Sequence, residues 1–463
     1  MVTSRKFLLR IAMVAVLALR LASAGAADVD ANRLGAKGDG RTMNTSALQL
    51  AIDQCSASGG GRVTLAPGRY LSGGIRLRSH VELCLPRGVE LIGSTAYTRD
   101  YPDRAFIYAE GIEDAGISGN GIISGNATHH DVVAQGFVVN DSKRPNVVFF
   151  KDCRNMSATG IRIIDGGSWT FRLFRCDGVT IDRISIRCLA MGNNDGIDVD
   201  ARNVIISNCN IEAEDDGICL KSDDANFMPE NIVVTNCIIA SNCNPIKFGT
   251  ASRAGFRNVT ISNCVIKRTS ESNIWNWPHD YRGIKEGTLT GLAGIAIESA
   301  DGGRIEHVCI QNITMEGIIT PIFIVLNHRR DGNPCISDVH ISHVTATAEG
   351  VLPSMIVGSP TTKVSDITLR DIFVEHQGGE QAMTEPLPEA LTAYPENRMF
   401  GHRNPAGGLY VRHARNVTVE NFHIRQRQTD YRPAVVLDDV EQFEARGITS
   451  TGNLSELIQN QQR

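Results

Sequence analysis

A short apolar phrase returns along the second half of this chain at a nearly constant interval. It is a polar residue or Gly followed by apolar-x-Ile/Leu/Val: Gly178-Val-Thr-Ile, Asn203-Val-Ile-Ile, Asn231-Ile-Val-Val, Asn258-Val-Thr-Ile, His307-Val-Cys-Ile, Asp338-Val-His-Ile, Asp366-Ile-Thr-Leu and Asn416-Val-Thr-Val. Most intervals lie between 25 and 31 residues, and two, of 49 and 50, read as one coil plus an insertion. Short β-branched runs at this period, with Asn and Gly at the corners, cannot bury their apolar faces one at a time. Stacking them completes a core, so the pattern predicts a parallel β-solenoid.

A second set of strands runs between these phrases: Gly196-Ile-Asp-Val-Asp200, Gly217-Ile-Cys-Leu-Lys221, Pro245-Ile-Lys-Phe-Gly249, Gly294-Ile-Ala-Ile-Glu298 and Pro321-Ile-Phe-Ile-Val325. A side-chain period of two sends Ile197, Ile218, Ile246, Ile295 and Ile322 inward, with Val199, Leu220, Phe248, Ile297 and Ile324 beside them. The alternate residues face outward as a ladder across one surface: Asp198, Cys219, Lys247, Ala296 and Phe323, then Asp200, Lys221, Gly249, Glu298 and Val325. Nearer the N-terminus, Thr45 to Ser56 reads as one amphipathic helix with Ala47, Leu48, Ala51, Ile52 and Cys55 on one face. Such a helix would close the open end of the coil, where unpaired strand edges invite aggregation. The expected fold is therefore all-β: a single-stranded parallel β-helix with an N-terminal capping helix.

Arg5, Lys6 and Arg10, the apolar run Ile11 to Leu19 and the small residues Ala24-Gly25-Ala26 form a secretory signal, expected over residues 1–26. Residues 27–463 then form one catalytic solenoid, with cap and first coils over 27–100 and insertions near 269–290 and 376–408. Losing Arg5, Lys6, Arg10 and Arg20 takes 46 basic residues to 42 against 51 acidic ones, a formal charge near −9. That balance argues against nucleic acid or an anionic membrane as partner. Of the 12 cysteines, Cys209, Cys237 and Cys264 each close the phrase Ser/Thr-Asn-Cys, and a fixed repeat position suits a small buried hydrophobe. Cys55 with Cys84 is the pair expected to form a bridge, if any does.

Chemistry concentrates in two acidic corners, Asn193-Asn194-Asp195-Gly196 and Glu214-Asp215-Asp216-Gly217. Stacked on adjacent coils, they would crowd Asp195, Asp215 and Asp216 into one patch, which a fold seldom does without a use. Asn-Asp-Gly and Asp-Asp-Gly are also good turn sequences. Asp195, Asp198, Asp200 and Asp216 are moreover hard oxygen ligands of the calcium-binding kind; the expectation adopted here has no metal and no cofactor.

These residues resemble glycoside hydrolase family 28, the polygalacturonase family of right-handed β-helix enzymes. The likeness includes Gly35-Ala-Lys-Gly-Asp-Gly40, Arg144-Pro-Asn-Val-Val148, Trp169-Thr170, an Asn-Thr-Asp motif matched by Asn193-Asn194-Asp195, and paired aspartates matched by Asp215-Asp216. The resemblance implies an exported hydrolase that cleaves a pectic chain, galacturonan or rhamnogalacturonan, with inversion. It makes Asp215 the general acid, with Asp195 and Asp216 holding the attacking water. Two motifs depart: the family's Gly-His-Gly corner is Cys243-Asn244-Pro245, and its Arg-Ile-Lys strand is Ala296-Ile297-Glu298. Lys221 and Lys247, outward on neighbouring coils, are candidates for the lost positive charge.

Further candidates for substrate contact are Asn193, Asn244 and Glu298, together with His328 and Arg329 at a coil end. Trp275 and Trp277 belong to an aromatic-rich insertion that could wall a sugar site. Tyr394, Glu396, Arg398 and Arg403 lie in the second insertion, which could close the cleft and favour exo action. Asp200 reads best as part of a salt-bridged outer ladder. A polysaccharide lyase on the same fold, or a non-catalytic carbohydrate-binding solenoid, are the competing functions; a monomer is expected.

Overall fold

In the computed structural model, residues 28–130, 144–272, 288–383, 385–451 and 457–461 are described. The signal segment, the bulk of the first insertion, and with it Trp275 and Trp277, lie outside them. Among the described residues the ladder pairings between strands are parallel, with one isolated antiparallel bridge, Ser359 to Thr362. No helix among these residues is long and apolar enough to cross a membrane.

The repeat dictates the stacking directly. Phe171, Ile197, Ile218, Ile246, Ile295 and Ile322 stand in register on successive coils. Beside them Val199, Leu220, Phe248, Ile297, Ile324, Ile356, Val411 and Leu437 form a second column. The recurring phrases supply a second ladder, Val204, Ile232, Val259, Val308, Val339, Ile367 and Val417. A third ladder closes the tube through Ile186, Ile211, Ile239, Ile266 and Met315. All of these side chains are buried and share one continuous core.

Asparagine marks the corners for a physical reason. Asn203, Asn231 and Asn258 take φ of 53°, 58° and 55°, and Asn208, Asn236 and Asn263 take 58°, 57° and 56°. Among non-glycine residues Asn tolerates this left-handed region best. Each side chain then donates to the one on the coil before it: Asn231 Nδ2 to Asn203 Oδ1 at 2.9 Å, and Asn258 Nδ2 to Asn231 Oδ1 at 3.1 Å.

The capping helix spans Thr45–Ala57 and buries Leu48, Ala51, Ile52 and Cys55, with Ala47 half-buried. The expected Cys55–Cys84 bridge is not formed: neither cysteine is in a disulfide with the other. Cys55 faces into the core from the helix, whereas Cys84 points the other way, between inward Leu83 and Leu85 in the strand Val81–Leu85. Cys209, Cys237 and Cys264 are buried, each thiol directed at the carbonyl two residues earlier, at 3.1–3.2 Å.

The outward ladder is not a surface. Asp198, Cys219, Lys247, Ala296 and Phe323 are at most 3% exposed. The strand Val364–Gly378 runs through His376, so the second insertion begins later than expected, at 379, and ends before Leu409. It lays Leu387, Phe400 and Ala406 against Ala296, Phe323, Met355 and Tyr410, a second apolar cluster outside the tube. Asn397 pins it by donating to the Leu292 carbonyl (2.8 Å) and the Thr320 hydroxyl (3.1 Å).

Candidate active site

The two acidic corners stack as adjacent coils. Thr170 N–H donates to the Asp195 carbonyl (2.9 Å), Gly196 N–H to the Asp216 carbonyl (2.8 Å), and Gly217 N–H to the Asn244 carbonyl (2.9 Å). Asp195, Asp216 and Asn244 therefore occupy equivalent places on three successive coils, one register step from Asp215. The glycines are there for closeness: a Cβ on Gly196 would lie 2.4 Å from the Gly217 carbonyl oxygen, and one on Gly217 2.4 Å from Ile239 Cγ2. Turn chemistry alone would not need so tight an approach.

Each carboxylate is held from a different side. Asn193 Nδ2 donates to Asp215 Oδ2 (3.2 Å), and Asp215 Oδ1 accepts the Asp216 backbone N–H (2.9 Å). Asn244 Nδ2 donates to Asp216 Oδ1 (2.8 Å). Asn194 stays structural, buried and bonded to the Met191, Gly166 and Ser168 backbone. Two buried ammonium groups complete the cluster. Lys221 Nζ lies 3.5 Å from Asp195 Oδ2, 3.5 Å from Asp198 Oδ1 and 3.8 Å from Asp216 Oδ2. Lys247 Nζ lies 3.3 Å from Asp216 Oδ2 and 3.8 Å from Glu298 Oε2.

Burial and charge divide the acids into two kinds. Burial, reinforced by the neighbouring Asp216, raises the Asp215 carboxyl above its ordinary range. Burial, with Asp198 and Asp215 nearby, raises Asp195 strongly. Burial also pushes Asp198 and Glu298 up to about 7, against the pull of Lys221 and Lys247 respectively. Asp216 is equally buried, yet Lys247, Lys221 and the Asn244 amide outweigh that burial and hold it below the usual range. One acid of the cluster is thus favoured in its charged form while its neighbours are shifted towards keeping their protons.

These groups line a cavity of about 300 Å³, together with Trp169, Cys243, Leu292, Tyr394, Pro395 and Glu396. It brings together Asn193, Asp195, Asp215, Asp216, Lys221, Asn244 and Lys247 from the sequence-derived set. Glu298 stands behind Lys247. His328 and Arg329 do not line it: His328 Nε2 is 3.1 Å from the Ser359 hydroxyl, and Arg329 is engaged by both oxygens of Asp301. Asp200 is buried without the expected salt bridge; its carboxylate accepts the Asp223 backbone N–H (2.9 Å). Trp169 was legible only as part of a resembling strand. Its ring lies under Lys221 Nζ, 5.0 Å from the centroid, and Arg172 stacks at 4.7 Å. The signal was its place, one residue before Thr170, which pairs with the Asp195 corner.

Residues 55–273 match the description of glycosyl hydrolases family 28. A probable polygalacturonase of Arabidopsis thaliana is 24% identical over 373 residues, 75% of this chain and 74% of that protein. The exopolygalacturonase structure from Thermotoga maritima superposes with a TM-score of 0.64 at 23% identity, over 76% of this chain and 88% of that one. That of the Yersinia enterocolitica family 28 exopolygalacturonase gives 0.62 at 15%, over 93% and 79%. Over residues 55–273 the chain is similar to glycoside hydrolase family 28, as a distant, polygalacturonase-like relative.

Against that family's pattern the departures now have a geometry. Asn244, in place of the family His, binds Asp216 with its amide nitrogen, while its oxygen accepts the Ala293 N–H at 3.3 Å. Glu298, at the end of the altered Arg-Ile-Lys strand, is two residues out of register with Lys247, which pairs with Ala296 across the ladder. Its carboxylate nevertheless reaches Lys247 Nζ, so a basic group in the cleft has moved one coil towards the acids. Lys221 also answers the calcium reading: an ammonium already stands between Asp195 and Asp198.

Proposed function

We propose that this chain is an exported family 28 hydrolase that removes units from the end of a pectic chain of the rhamnogalacturonan type, with inversion at the anomeric carbon. The observation that carries the reading is the unlike surroundings of the adjacent acids in one cavity: burial and Asp216 raise the Asp215 carboxyl, while Lys247, Lys221 and the Asn244 amide hold Asp216 low. Inverting hydrolysis needs one carboxyl to protonate the leaving oxygen and one carboxylate to take a proton from water. Asp215 fills the first role. Asp216 fills the second, with Asp195 orienting the same water from the previous coil.

The substrate type follows from charge. Both lysines lining the cavity are already paired with protein carboxylates, and the family's Arg-Ile-Lys bases are absent, so a uronate at every subsite would find little positive charge among the described lining residues. A chain alternating uronate with a neutral sugar suits this better. Exo action is favoured by the wall Tyr394-Pro395-Glu396, with Glu396 braced by Arg398 at 2.7 Å, and accords with the relatives named as exopolygalacturonases. Export rests on the basic and apolar leader of residues 1–26.

Incubation with galacturonan and rhamnogalacturonan oligosaccharides, with anomer-resolved analysis of the products, tests all of this. The expected result is short products from one chain end, of inverted configuration, and loss of turnover by about 10²–10⁴-fold in Asp215→Asn. Activity surviving in that variant would remove Asp215 from the acid role. Faster turnover of pure galacturonan would refute the substrate assignment.

A further inference from the structure

Lys247 is held from three directions in a site where a free cation would be expected to meet substrate. Its ammonium lies 3.3 Å from Asp216 on the preceding coil and 3.8 Å from Glu298 on the following one. It also stands 5.8 Å from the ring centroid of Tyr394, which the second insertion contributes. The Thr250 hydroxyl ties the last two together, donating to Glu298 Oε2 at 3.2 Å with the Tyr394 hydroxyl also at 3.2 Å. The lysine is 3% exposed. A substrate carboxylate in the cavity would have to compete with Asp216 and Glu298 for this ammonium.

We propose that Lys247 is a positioning residue of the hydrolytic step: its ammonium keeps the Asp216 carboxylate ionised and aimed into the cavity, and Glu298 and Tyr394 exist to hold that ammonium in place. The inference rests on the assignment of Asp216 as the base. In the hydrolytic step water gives its proton to Asp216 as its oxygen bonds to the anomeric carbon. The glycosidic oxygen leaves with the proton of Asp215. Lys247 exchanges no proton in this sequence; it sets which acid is charged before it begins.

The surroundings of Asp216 show why one lysine would not suffice. Asp195, Asp198 and Asp215 crowd it from the preceding coil and its own corner, Glu298 lies beyond Lys247, and the Cys219, Cys243 and Tyr394 side chains face it uncharged. Against these stand two cations. Lys221 divides its charge among Asp195, Asp198 and Asp216, and Asp216 is the most distant of the three at 3.8 Å. Lys247 is nearer to Asp216 and divides its charge with one other carboxylate, Glu298. An opposite charge at this range moves a carboxylate by about 1–3 pH units.

The test is the pH profile of kcat/KM for Lys247→Met and Lys247→Arg on one oligosaccharide substrate. In Lys247→Met the acid limb, where Asp216 must lose its proton, is expected to move up by about 1–3 pH units, with the loss of rate recovered at higher pH. Lys247→Arg should keep the limb near its original place. An unmoved limb with a KM raised only for uronate-rich substrates would overturn the proposal and make Lys247 a substrate clamp. An unmoved limb with unchanged rate would overturn it too. If Lys247→Met does not fold, Lys247→Gln with Glu298→Gln removes both charges of the buried pair, and the same upward shift is expected. Asp216→Asn separates the two ideas. If it retains activity, the base assignment fails; if it is inactive and the limb in Lys247→Met stays put, only the role of Lys247 fails.

Discussion

Asp200→Asn should make the protein's stability less dependent on pH, and the size of the effect can be worked from the structure. Asp200 is 1% exposed, and its Oδ1 has no hydrogen-bond partner. Burial, opposed by the Asp223 N–H bond and reinforced by the Asp223 charge, raises its carboxyl from 3.8 to about 7. Between those values the unfolded chain has released this proton while the folded chain still holds it. The sign is therefore a loss of stability as pH rises, complete once pH passes 7. A difference of about three pH units at about 1.36 kcal/mol each amounts to about 4 kcal/mol. Asparagine cannot ionise, and its side-chain oxygen can still accept the Asp223 N–H. Its amide nitrogen, buried without an acceptor, would cost about 1–3 kcal/mol, but that cost does not change with pH. Urea unfolding of both proteins at intervals from pH 4 to pH 8 isolates the effect, because Asp195, Asp198 and Glu298 titrate in both. The stability difference should move in favour of the variant by up to about 4 kcal/mol across the range. Parallel curves would refute the reasoning and mean that Asp200 ionises in the fold without penalty.

Three further outcomes follow from the same geometry. Phe248→Ala empties a fully buried place in the inward column, where the ring meets Phe256 edge-on at 5.7 Å; chemical denaturation should show a loss of about 3–5 kcal/mol. Asn231→Val removes a rung bonded to both neighbouring coils and forces a β-branched residue to φ 58°, so a loss of about 2–3 kcal/mol is expected, with wild-type kcat/KM in the folded fraction. Tyr394→Ala opens the cavity wall and loosens Lys247; product sizing should show longer oligosaccharides released early in the reaction, and an unchanged product ladder would separate the insertion from exo action.

The tube was legible because its rules are local. A period of two within each strand and about 27 residues between phrases place Ile197 over Ile218 over Ile246 with no knowledge of the rest of the chain. The Asn corners were readable as corners, though their side-chain stacking, Asn203 to Asn231 to Asn258, needed the coils in place. The disulfide expectation failed because spacing says nothing of direction: Cys55 faces the core from the capping helix, while Cys84 points away from it on the strand Val81–Leu85.

The site was legible in its residues and not in its electrostatics. Alternation correctly put Asp198, Lys247 and Glu298 on the outer face of the strands, and outer was taken to mean wet. Leu387, Tyr394, Phe400 and Ala406 of the second insertion cover that face from more than 80 positions beyond Glu298 in sequence, and no repeat encodes where an insertion comes to rest. The cover changes the chemistry more than any substitution in the strand. In water, five carboxylates near two lysines would all be ionised and would screen one another. Under the insertion each must find a cation or keep its proton, and there are too few cations for all. Asp216 is the carboxylate that touches both Lys221 and Lys247, so it is the one left charged. The selection of a base from among near-identical acids is thus made by the position of two ammonium groups, and the departures from the family pattern at Asn244 and Glu298 act on it directly, one bonding Asp216 and the other meeting Lys247.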